Sequence, residues 1–263
     1  MRRPATGYFS PSLPRLLAHR GLATSEVENT LPAFRAAVER GALYVECDVH
    51  ASADGVAVVA HDPDLSRLLG IGSTIGSLTA RELRALDLGD GVGFCTLQDA
   101  LLALPGTRFN IDVKSAGAAR PAGSAIIAAG AEGRVLLTSF SNARRRAAIR
   151  AAAGPAGTLI ATSASAPTFL LALVAGTLGL APVVRWALRN VDAVQVPETA
   201  LGLRVPTRRM LAILHSAGVE MHVWTINDPR RMAELLAVGV DGIVTDRVDL
   251  ALDLVARTKP ERR

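Results

Sequence analysis

Apolar, strand-like runs alternate with helix-like segments eight times along the 263 residues, and this alternation is the feature that most constrains the fold. A repeat of this kind builds a parallel sheet covered by helices. The predicted strands lie near residues 15–19, 44–50, 108–114, 135–139, 158–162, 191–196, 220–226 and 242–245. The predicted helices lie near 30–40, 120–131, 142–153, 168–178, 207–217, 229–238 and 248–256. Eight such units in a chain of this length predict an α/β fold, a TIM (β/α)8 barrel.

The predicted barrel spans residues 15–257 and follows an N-terminal extension, residues 1–14. Between the second and third strands, the segment of about 51–107 is longer than one connection needs, so we predict a small insertion there. The insertion contains an extra strand that ends at His61 and short helices near 79–86 and 97–104. Its glycine-rich part, Gly70–Ser77, is predicted to be a loop, because it lacks the lysine and the strand-to-helix context of a phosphate-binding P-loop.

Two carboxylates share one face of the second predicted strand. Side chains alternate along a strand, so Glu46 and Asp48 point one way and Cys47 points the other way, where it packs as a small hydrophobe. Two acids side by side on an apolar strand repel each other and are costly to bury unless a cation lies between them. Asp112, on the third strand, adds a third carboxylate. Oxygen ligands select hard cations, so we predict one divalent cation, Mg²⁺ or Ca²⁺.

The charge of the chain is almost entirely arginine, because Lys114 and Lys259 are the only lysines. Aromatic residues make up only 4% of the chain, whereas nucleic-acid binding usually combines basic clusters with aromatics. We therefore expect no nucleic-acid partner, and an anionic small-molecule substrate is compatible with the net charge of +5. Cys47 and Cys95 are not expected to form a disulfide. No apolar stretch of signal-peptide length follows the first arginines, so we expect a cytoplasmic protein.

The segment Ser163–Val184 carries no charge and approaches the length of a membrane span. Proline, glycine, serine and threonine interrupt it, which favours a buried or interfacial helix over a span. If this helix is partly exposed, its apolar side chains can rest on a membrane surface or grip a lipid chain; the candidates are Phe169, Leu170, Leu173 and Val174. Peripheral contact with lipid is therefore one expectation.

Several short motifs resemble, in order and spacing, the conserved blocks of the glycerophosphodiester phosphodiesterase family. The blocks are His19-Arg20-Gly21, Glu28-Asn29-Thr30-Leu31-Pro32-Ala33-Phe34, Glu46-Cys47-Asp48-Val49, Val59-Ala60-His61-Asp62, Asn110-Ile111-Asp112-Val113-Lys114, Val223-Trp224-Thr225-Ile226-Asn227 and Gly239-Val240-Asp241-Gly242-Ile243-Val244-Thr245-Asp246. The resemblance runs from about residue 15 to residue 247. In that family the ligand on the third strand is most often Glu, where this chain has Asp112.

The resemblance implies metal-dependent hydrolysis of glycerophosphodiesters to glycerol 3-phosphate and an alcohol. It assigns the roles of acid and base to His19 and His61, whose ordinary pKa near 6.5 suits both roles at neutral pH. Arg20 would contact the phosphate through its planar guanidinium. Glu28 would orient Arg20 or help to bind the cation's outer shell, and Lys114 would add positive charge. Trp224 would wall the substrate pocket.

Alternatives remain open at this point. The nucleophile is either water or a neighbouring hydroxyl of the substrate, which would give a cyclic phosphate. A second possible function is a phospholipase D-like reaction on lysophospholipids, and a third is a catalytically silent barrel used as a binding module. Among the other histidines, we expect His50 at the rim of the site or behind it, His215 in a structural role and His222 packed inside the barrel.

Overall fold

The computed structural model describes residues 7–258, and it confirms the predicted barrel. Within these residues the strands are, in chain order, β1 (Arg15–Ala18), β2 (Tyr44–Ala51), β3 (Ala57–Val59), β4 (Asp64–Leu65), β5 (Ile71–Thr74), β6 (Arg108–Val113), β7 (Val135–Thr138), β8 (Ala161–Thr162), β9 (Ala193–Val196), β10 (Thr199–Ala200), β11 (Leu203–Arg204), β12 (Glu220–Val223) and β13 (Gly242–Thr245). Eight of them form a parallel ring in the order β8-β7-β6-β2-β1-β13-β12-β9. A bridge between Ser163 and Ala193 joins its two ends, beside a 2.9 Å hydrogen bond from the Ala164 N–H to the Ala193 carbonyl.

Most of the helices cover the outer face of the ring, and the second and third belong to the insertion. In chain order the helices are α1 (Leu31–Glu39), α2 (Ser66–Leu69), α3 (Ala80–Ala85), α4 (Leu97–Ala103), α5 (Ala119–Ala128), α6 (Asn142–Ala153), α7 (Ala166–Thr177), α8 (Ala181–Leu188), α9 (Arg208–Ser216), α10 (Pro229–Val238) and α11 (Val248–Thr258). Local sequence explains where they begin: at α1, the Thr30 side chain accepts a hydrogen bond from the Ala33 N–H, and Pro32 occupies the first turn.

The insertion between β2 and β6 is more ordered than the sequence suggested. The extra strand β3 pairs antiparallel with β2, as expected, but it ends at Val59 rather than at His61. The loop predicted at Gly70–Ser77 is wrong, because Ile71–Thr74 forms strand β5, which pairs with β4, and a 3-10 turn follows at Ile75–Ser77. Strands this short do not contain enough residues to show the alternation of apolar and polar side chains by which a strand is predicted from sequence.

Between β8 and β12 the structure contains three elements that the sequence did not predict: α8 and the hairpin of β10 and β11. The predicted strand 158–162 is shortened to Ala161–Thr162. The uncharged segment forms a helix, α7, as expected, and a tight turn at Gly179 separates it from α8. No helix within residues 7–258 is both long enough and apolar enough to cross a bilayer.

Two layers of apolar side chains form the core of the barrel, and a third, smaller cluster lies in the insertion. The larger layer lies between the ring and the helices and includes Cys47, which is fully buried as a small hydrophobe. The second layer fills the inside of the ring and contains Tyr8, Leu17, Tyr44, Leu136, Ala161, Ala193 and Val244. Tyr8 comes from a 3-10 turn at Gly7–Phe9, and its ring packs edge-on against Tyr44 with centroids 5.2 Å apart. Residues 1–6 of the predicted extension lie outside the described residues.

A polar cluster lies at the amino-terminal end of the ring, below this apolar layer. Arg15 donates two hydrogen bonds to the Glu220 carboxylate, at 2.5 and 2.6 Å, and a third to the Tyr44 hydroxyl at 2.7 Å. His222 is fully buried inside the barrel, as expected, with its Nε2 atom 3.0 Å from Glu220 Oε2. The cluster links β1, β2 and β12 across the floor of the barrel.

Candidate active site

A cavity of about 300 Å³ opens at the carboxyl ends of the ring strands. Of the nine residues that the sequence predicted for the site, eight line this cavity, and only Glu28 lies outside the lining. Parallel strands bring their carboxyl ends to one edge of a barrel, so residues from β1, β2, β6 and β12 meet there although they are far apart in the chain.

Three carboxylates lie on the floor of the cavity because of the register between β2 and β6. Asp48 is paired with Asp112, and Glu46 lies two residues before Asp48 on the same face. Burial and the neighbouring Asp48 charge raise the pKa of Glu46 to about 8. Burial also raises the pKa of Asp112, against the opposing effect of Lys114. The raised pKa values of Glu46 and Asp112 indicate that the nearby positive side chains do not fully compensate the negative charge of this buried cluster.

Lys114 occupies the space between two of these acids. Its Nζ atom is 2.8 Å from Asp48 Oδ1 and 2.8 Å from Asp112 Oδ2. Burial alone would lower the pKa of Lys114, but these two carboxylates outweigh it and raise this pKa, so the ammonium stays charged. The second oxygen of Asp112, Oδ1, is buried and has no hydrogen-bond partner among residues 7–258. Within the same residues, no three side chains of the metal-binding types surround a single point.

His19 is held by a residue from the far end of the chain. Its Nδ1 atom lies 2.6 Å from Asp246 Oδ1, and its Nε2 atom faces the carboxylates, 4.0 Å from Glu46 Oε2. Burial alone would lower the pKa of His19, but the hydrogen bond to Asp246 and the charge of Glu46 outweigh it, so this pKa is raised. Asn227 fixes Asp246 in turn, donating to Asp246 Oδ2 at 2.7 Å. The pair orients the ring so that Nε2 is the nitrogen available to the cavity.

His61 has a similar partner, its neighbour in the sequence. The Nδ1 atom of His61 lies 2.8 Å from Asp62 Oδ1, and Arg67 binds the other oxygen of Asp62. His50 was expected near the site, and it lies behind His61, with Nε2 3.1 Å from the His61 carbonyl oxygen. Both candidate acid–base histidines therefore have Nδ1 bound to a carboxylate, which leaves Nε2 for chemistry.

The motif at residues 19–21 places Arg20 by an unusual backbone. Arg20 and Gly21 have φ values of +56° and +91°, and a Cβ atom on Gly21 would lie 2.6 Å from the Ala33 carbonyl carbon. Only glycine fits a position that is both left-handed and this crowded. The turn directs the Arg20 guanidinium to Glu28, at 3.0 Å, and to within 3.3 Å of Asp48. Glu28 therefore contacts Arg20, which is the geometry that one of its two predicted roles requires.

Aromatic side chains form the opposite wall of the cavity. The rings of Phe140 and Trp224 pack edge-to-face with centroids 6.4 Å apart, and Phe169 from α7 lies beside them in the lining. Phe140 is exposed, so this wall continues to the outer rim. One side of the cavity is therefore charged and the other is apolar, an arrangement that suits a substrate with an anionic and an uncharged part.

Sequence reasoning assigned no role to several residues that hold the site together. They are Asn29, Asp62, Asn110, Gln195, Asn227 and Asp246. Asn29 donates to Asp48 Oδ2 at 3.0 Å, and Gln195 donates to Asn110 Oδ1 at 3.1 Å inside the barrel. Most of these residues lie within the quoted motifs or at strand ends, so their position was visible, but their partners were not. His215 has the structural role expected of it, with Nε2 2.8 Å from Asp241 Oδ2.

Comparison with known proteins agrees with this geometry. Residues 19–250 match the model of the glycerophosphoryl diester phosphodiesterase family. A relative from Mycobacterium tuberculosis, probable glycerophosphodiester phosphodiesterase 2, is 40% identical over 243 residues, which cover 92% of this chain and 90% of the relative.

Solved structures of similar proteins share the fold. A glycerophosphodiester phosphodiesterase from Agrobacterium tumefaciens superposes with a TM-score of 0.74 at 23% identity, covering 93% of this chain and 100% of that one. A phosphodiesterase from Oleispira antarctica, in complex with the product sn-glycerol-3-phosphate, superposes with a TM-score of 0.71 at 22% identity, covering 93% and 97% of the two chains. From the family match and the 40% identical relative, we conclude that this chain belongs to the glycerophosphoryl diester phosphodiesterase family.

Proposed function

We propose that the protein hydrolyses glycerophosphodiesters to glycerol 3-phosphate and an alcohol, with a divalent cation and two histidines. The observation that carries the proposal is the meeting, in one cavity, of three buried carboxylates with two histidines whose Nδ1 atoms are bound to aspartates. Family membership supports the substrate class. Phosphodiester hydrolysis needs neutralised phosphoryl oxygens, a deprotonated nucleophile and a protonated leaving group, and the cavity holds candidates for each role.

The chemistry of the donor set fits a hard divalent cation, although among residues 7–258 the carboxylates do not surround a single point. Glu46, Asp48 and Asp112 supply only oxygens, the ligands that Mg²⁺ and Ca²⁺ prefer, and the unpartnered Oδ1 of Asp112 is available to a cation. The raised pKa of Glu46 is the response of a carboxylate in an acidic cluster that positive charge would relieve. Lys114 bridges two of these acids, Asp48 and Asp112. When bound there, the cation would neutralise phosphoryl oxygens and polarise the phosphorus centre.

The histidines move the protons. One Nε2 atom takes the proton of the attacking water or substrate hydroxyl, and the other gives a proton to the oxygen of the leaving alcohol. Asp246 and Asp62 each bind the Nδ1 atom of one ring, so Nε2 is the nitrogen left for proton transfer. After one turnover, the histidine that acted as the base carries a proton and the histidine that acted as the acid has lost one. Both histidines are therefore needed in every turnover.

Positive side chains position the phosphate, and the aromatic wall receives the alcohol. The guanidinium of Arg20, held by Glu28, presents a planar pair of donors to phosphoryl oxygens. Lys114 remains protonated and adds a second positive charge across the cavity. Trp224 and the neighbouring aromatic rings would face the less polar part of the substrate.

A product assay tests the proposal. Release of glycerol 3-phosphate from glycerophosphocholine should require added Mg²⁺ or Ca²⁺, and His61→Ala should remove most turnover. The double replacement of His19 and His61 should lose little more than either single one, because residues that act as a unit are not additive. His215→Gln is the matched control, since this histidine also binds an aspartate but lies outside the cavity. Near wild-type turnover by His61→Ala would reject the proposed role.

A second candidate, a phospholipase D-like reaction on lysophospholipids, is favoured by the apolar wall that reaches the rim through Phe140 and Phe169. We propose peripheral contact of this region with lipid. Phe169→Ser should then reduce turnover of micellar lysolipid more than turnover of soluble glycerophosphocholine. Leu173 does not belong to this contact, contrary to expectation, because it is 1% exposed and packs in the core. A cytoplasmic location is proposed as well, and the two free, buried cysteines support a reducing compartment.

A further inference from the structure

Charge is distributed very unevenly along the chain. From residue 133 to residue 191 there is no Asp or Glu, and the same stretch contains seven arginines. All 24 acidic residues therefore lie in the rest of the sequence. In the fold this stretch forms β7, β8 and the helices α6, α7 and α8, which are consecutive around the barrel. We call it the acid-free sector, because arginine is the only residue type in it whose side chain ionises.

The outer face of α7 and α8 is apolar where helices of a barrel are usually polar. On α7 a stripe at helical spacing is exposed; it consists of Pro167, Leu170, Leu171, Val174 and Leu178. The stripe continues onto Leu180, Val183 and Trp186 of the next turn and helix. Leu178 and Trp186 are 68% and 60% exposed, values far from those of core residues. A contiguous apolar surface of this kind marks an interaction site rather than an ordinary solvated face.

Arginines border this apolar stripe. A cleft of about 410 Å³ lies between α6, α7 and α8, and its lining includes Arg145, Arg146, Arg150 and Arg189. Among residues 7–258, no carboxylate contributes to that lining. Arg189 also stacks on the Trp186 ring, 4.9 Å from its centroid, so the cleft and the stripe are continuous at this point.

The active-site cavity opens at the start of the same stripe. Phe169 and Ala166, in the first turn of α7, line the cavity, and Pro167 and Leu170 follow them on the exposed side. A surface that covers the stripe would therefore lie against the rim of the active site.

We propose that the acid-free sector docks the protein on an anionic phospholipid bilayer, with the apolar stripe in the interface and the exposed cleft arginines, Arg146, Arg150 and Arg189, on lipid phosphates. The inference deepens the peripheral lipid contact proposed above by naming its surface and its partner. Apolar side chains beside arginines, with a tryptophan at their boundary, are what a peripheral protein presents to the headgroup region of a membrane. An acidic protein or a nucleic acid would match the arginines but would leave the stripe unburied.

Vesicle co-sedimentation without substrate tests this proposal independently of catalysis. Wild-type protein should bind vesicles of phosphatidylcholine with phosphatidylglycerol about a hundredfold more tightly than vesicles of phosphatidylcholine alone. Replacing Arg146, Arg150 and Arg189 with Gln should remove most of this difference, at about fivefold for each arginine. The variant Leu170→Ser with Val174→Ser should weaken binding to the anionic vesicles by about tenfold or more.

Matched variants from other helices provide the controls. Leu43→Ser with Leu102→Ser changes two comparably exposed leucines outside the sector, and Arg35→Gln changes an exposed arginine of α1. These variants should bind vesicles as the wild type does, and all variants should keep turnover of soluble glycerophosphocholine. Absence of wild-type binding, equal loss in the controls, or loss only in the arginine variant would each overturn the docking proposal. Binding that persists in a protein without turnover would instead refute the proposed activity alone.

Discussion

The cluster on the barrel floor gives a stability prediction whose size follows from the structure. Burial alone would raise the pKa of Glu220, but hydrogen bonds from His222 and Arg15 outweigh it and lower this pKa from its ordinary value of 4.5 to about 2. The Glu220 side chain is 21% exposed, so solvent screens it only partly. At about 1.4 kcal/mol for each pKa unit, the ionised carboxylate stabilises the fold by about 3 kcal/mol.

We therefore expect Glu220→Gln to lower the free energy of unfolding by about 3 kcal/mol at pH 7. The folded pKa is depressed, so the contribution of the carboxylate is complete above pH 4.5 and is lost as the pH falls through about 2. The difference between the wild type and the variant should shrink over that interval. Urea unfolding followed by circular dichroism, at a series of pH values from 7 to 2, measures it.

Glu234→Gln is the control, because Glu234 forms an exposed ion pair with Arg231 and should contribute less than about 1 kcal/mol. Turnover of glycerophosphocholine below the unfolding temperature should be unchanged in the Glu220 variant, since Glu220 lies at the start of β12, away from the cavity. A difference from the wild type that stays constant with pH, or a variant as stable as the control, would refute the assignment of this stability to the carboxylate.

Three further predictions address the site and the barrel interior. Asp246→Asn should lower kcat about 100-fold while KM and thermal stability change little, because the substitution removes the carboxylate that orients the His19 ring. A fall in thermal stability instead would indicate that Asp246 has a structural role. Gly242→Ala should lower the free energy of unfolding in urea by about 1–3 kcal/mol, because the new Cβ atom would lie 2.7 Å from His222 Cδ2. Unchanged stability would contradict this prediction and would mean that the barrel interior rearranges to accept the methyl group. Chelation should abolish turnover and Mg²⁺ or Ca²⁺ should restore it in the wild type but not in Asp48→Asn, whereas full activity in excess chelator would exclude a required cation.

Much of the site was predictable because its residues lie in local patterns. The period of two along β2 placed Glu46 and Asp48 on one face, and the rule that barrel strands end at one edge brought Asp112 to the same cavity. The partners of these residues were not predictable. The contact between His19 and Asp246 joins residues 227 positions apart, and it exists because β1 and β13 are neighbours in the ring.

The uncharged segment illustrates the same limit at the level of a helix. Its composition indicated a helix with apolar faces, but composition alone did not separate Leu173, which is buried, from Leu170, which is exposed. Which of the two is buried depends on which side of α7 packs against α9 and the ring. The sequence did not predict α8, because its eight residues follow a turn and show little helical periodicity.

The sequence by itself determined the kind of fold and the chemistry at its edge, because strand and helix periodicity and the spacing of acidic and imidazole residues are local properties of the chain. Only the tertiary structure decided which side chains neutralise the charges of the site and which apolar side chains remain exposed at the surface. Lys114 between two carboxylates, the aspartate behind each histidine and the arginine cleft beside an exposed apolar stripe all arise when distant segments become neighbours. Closing the ring creates those neighbours, and no local pattern encodes them.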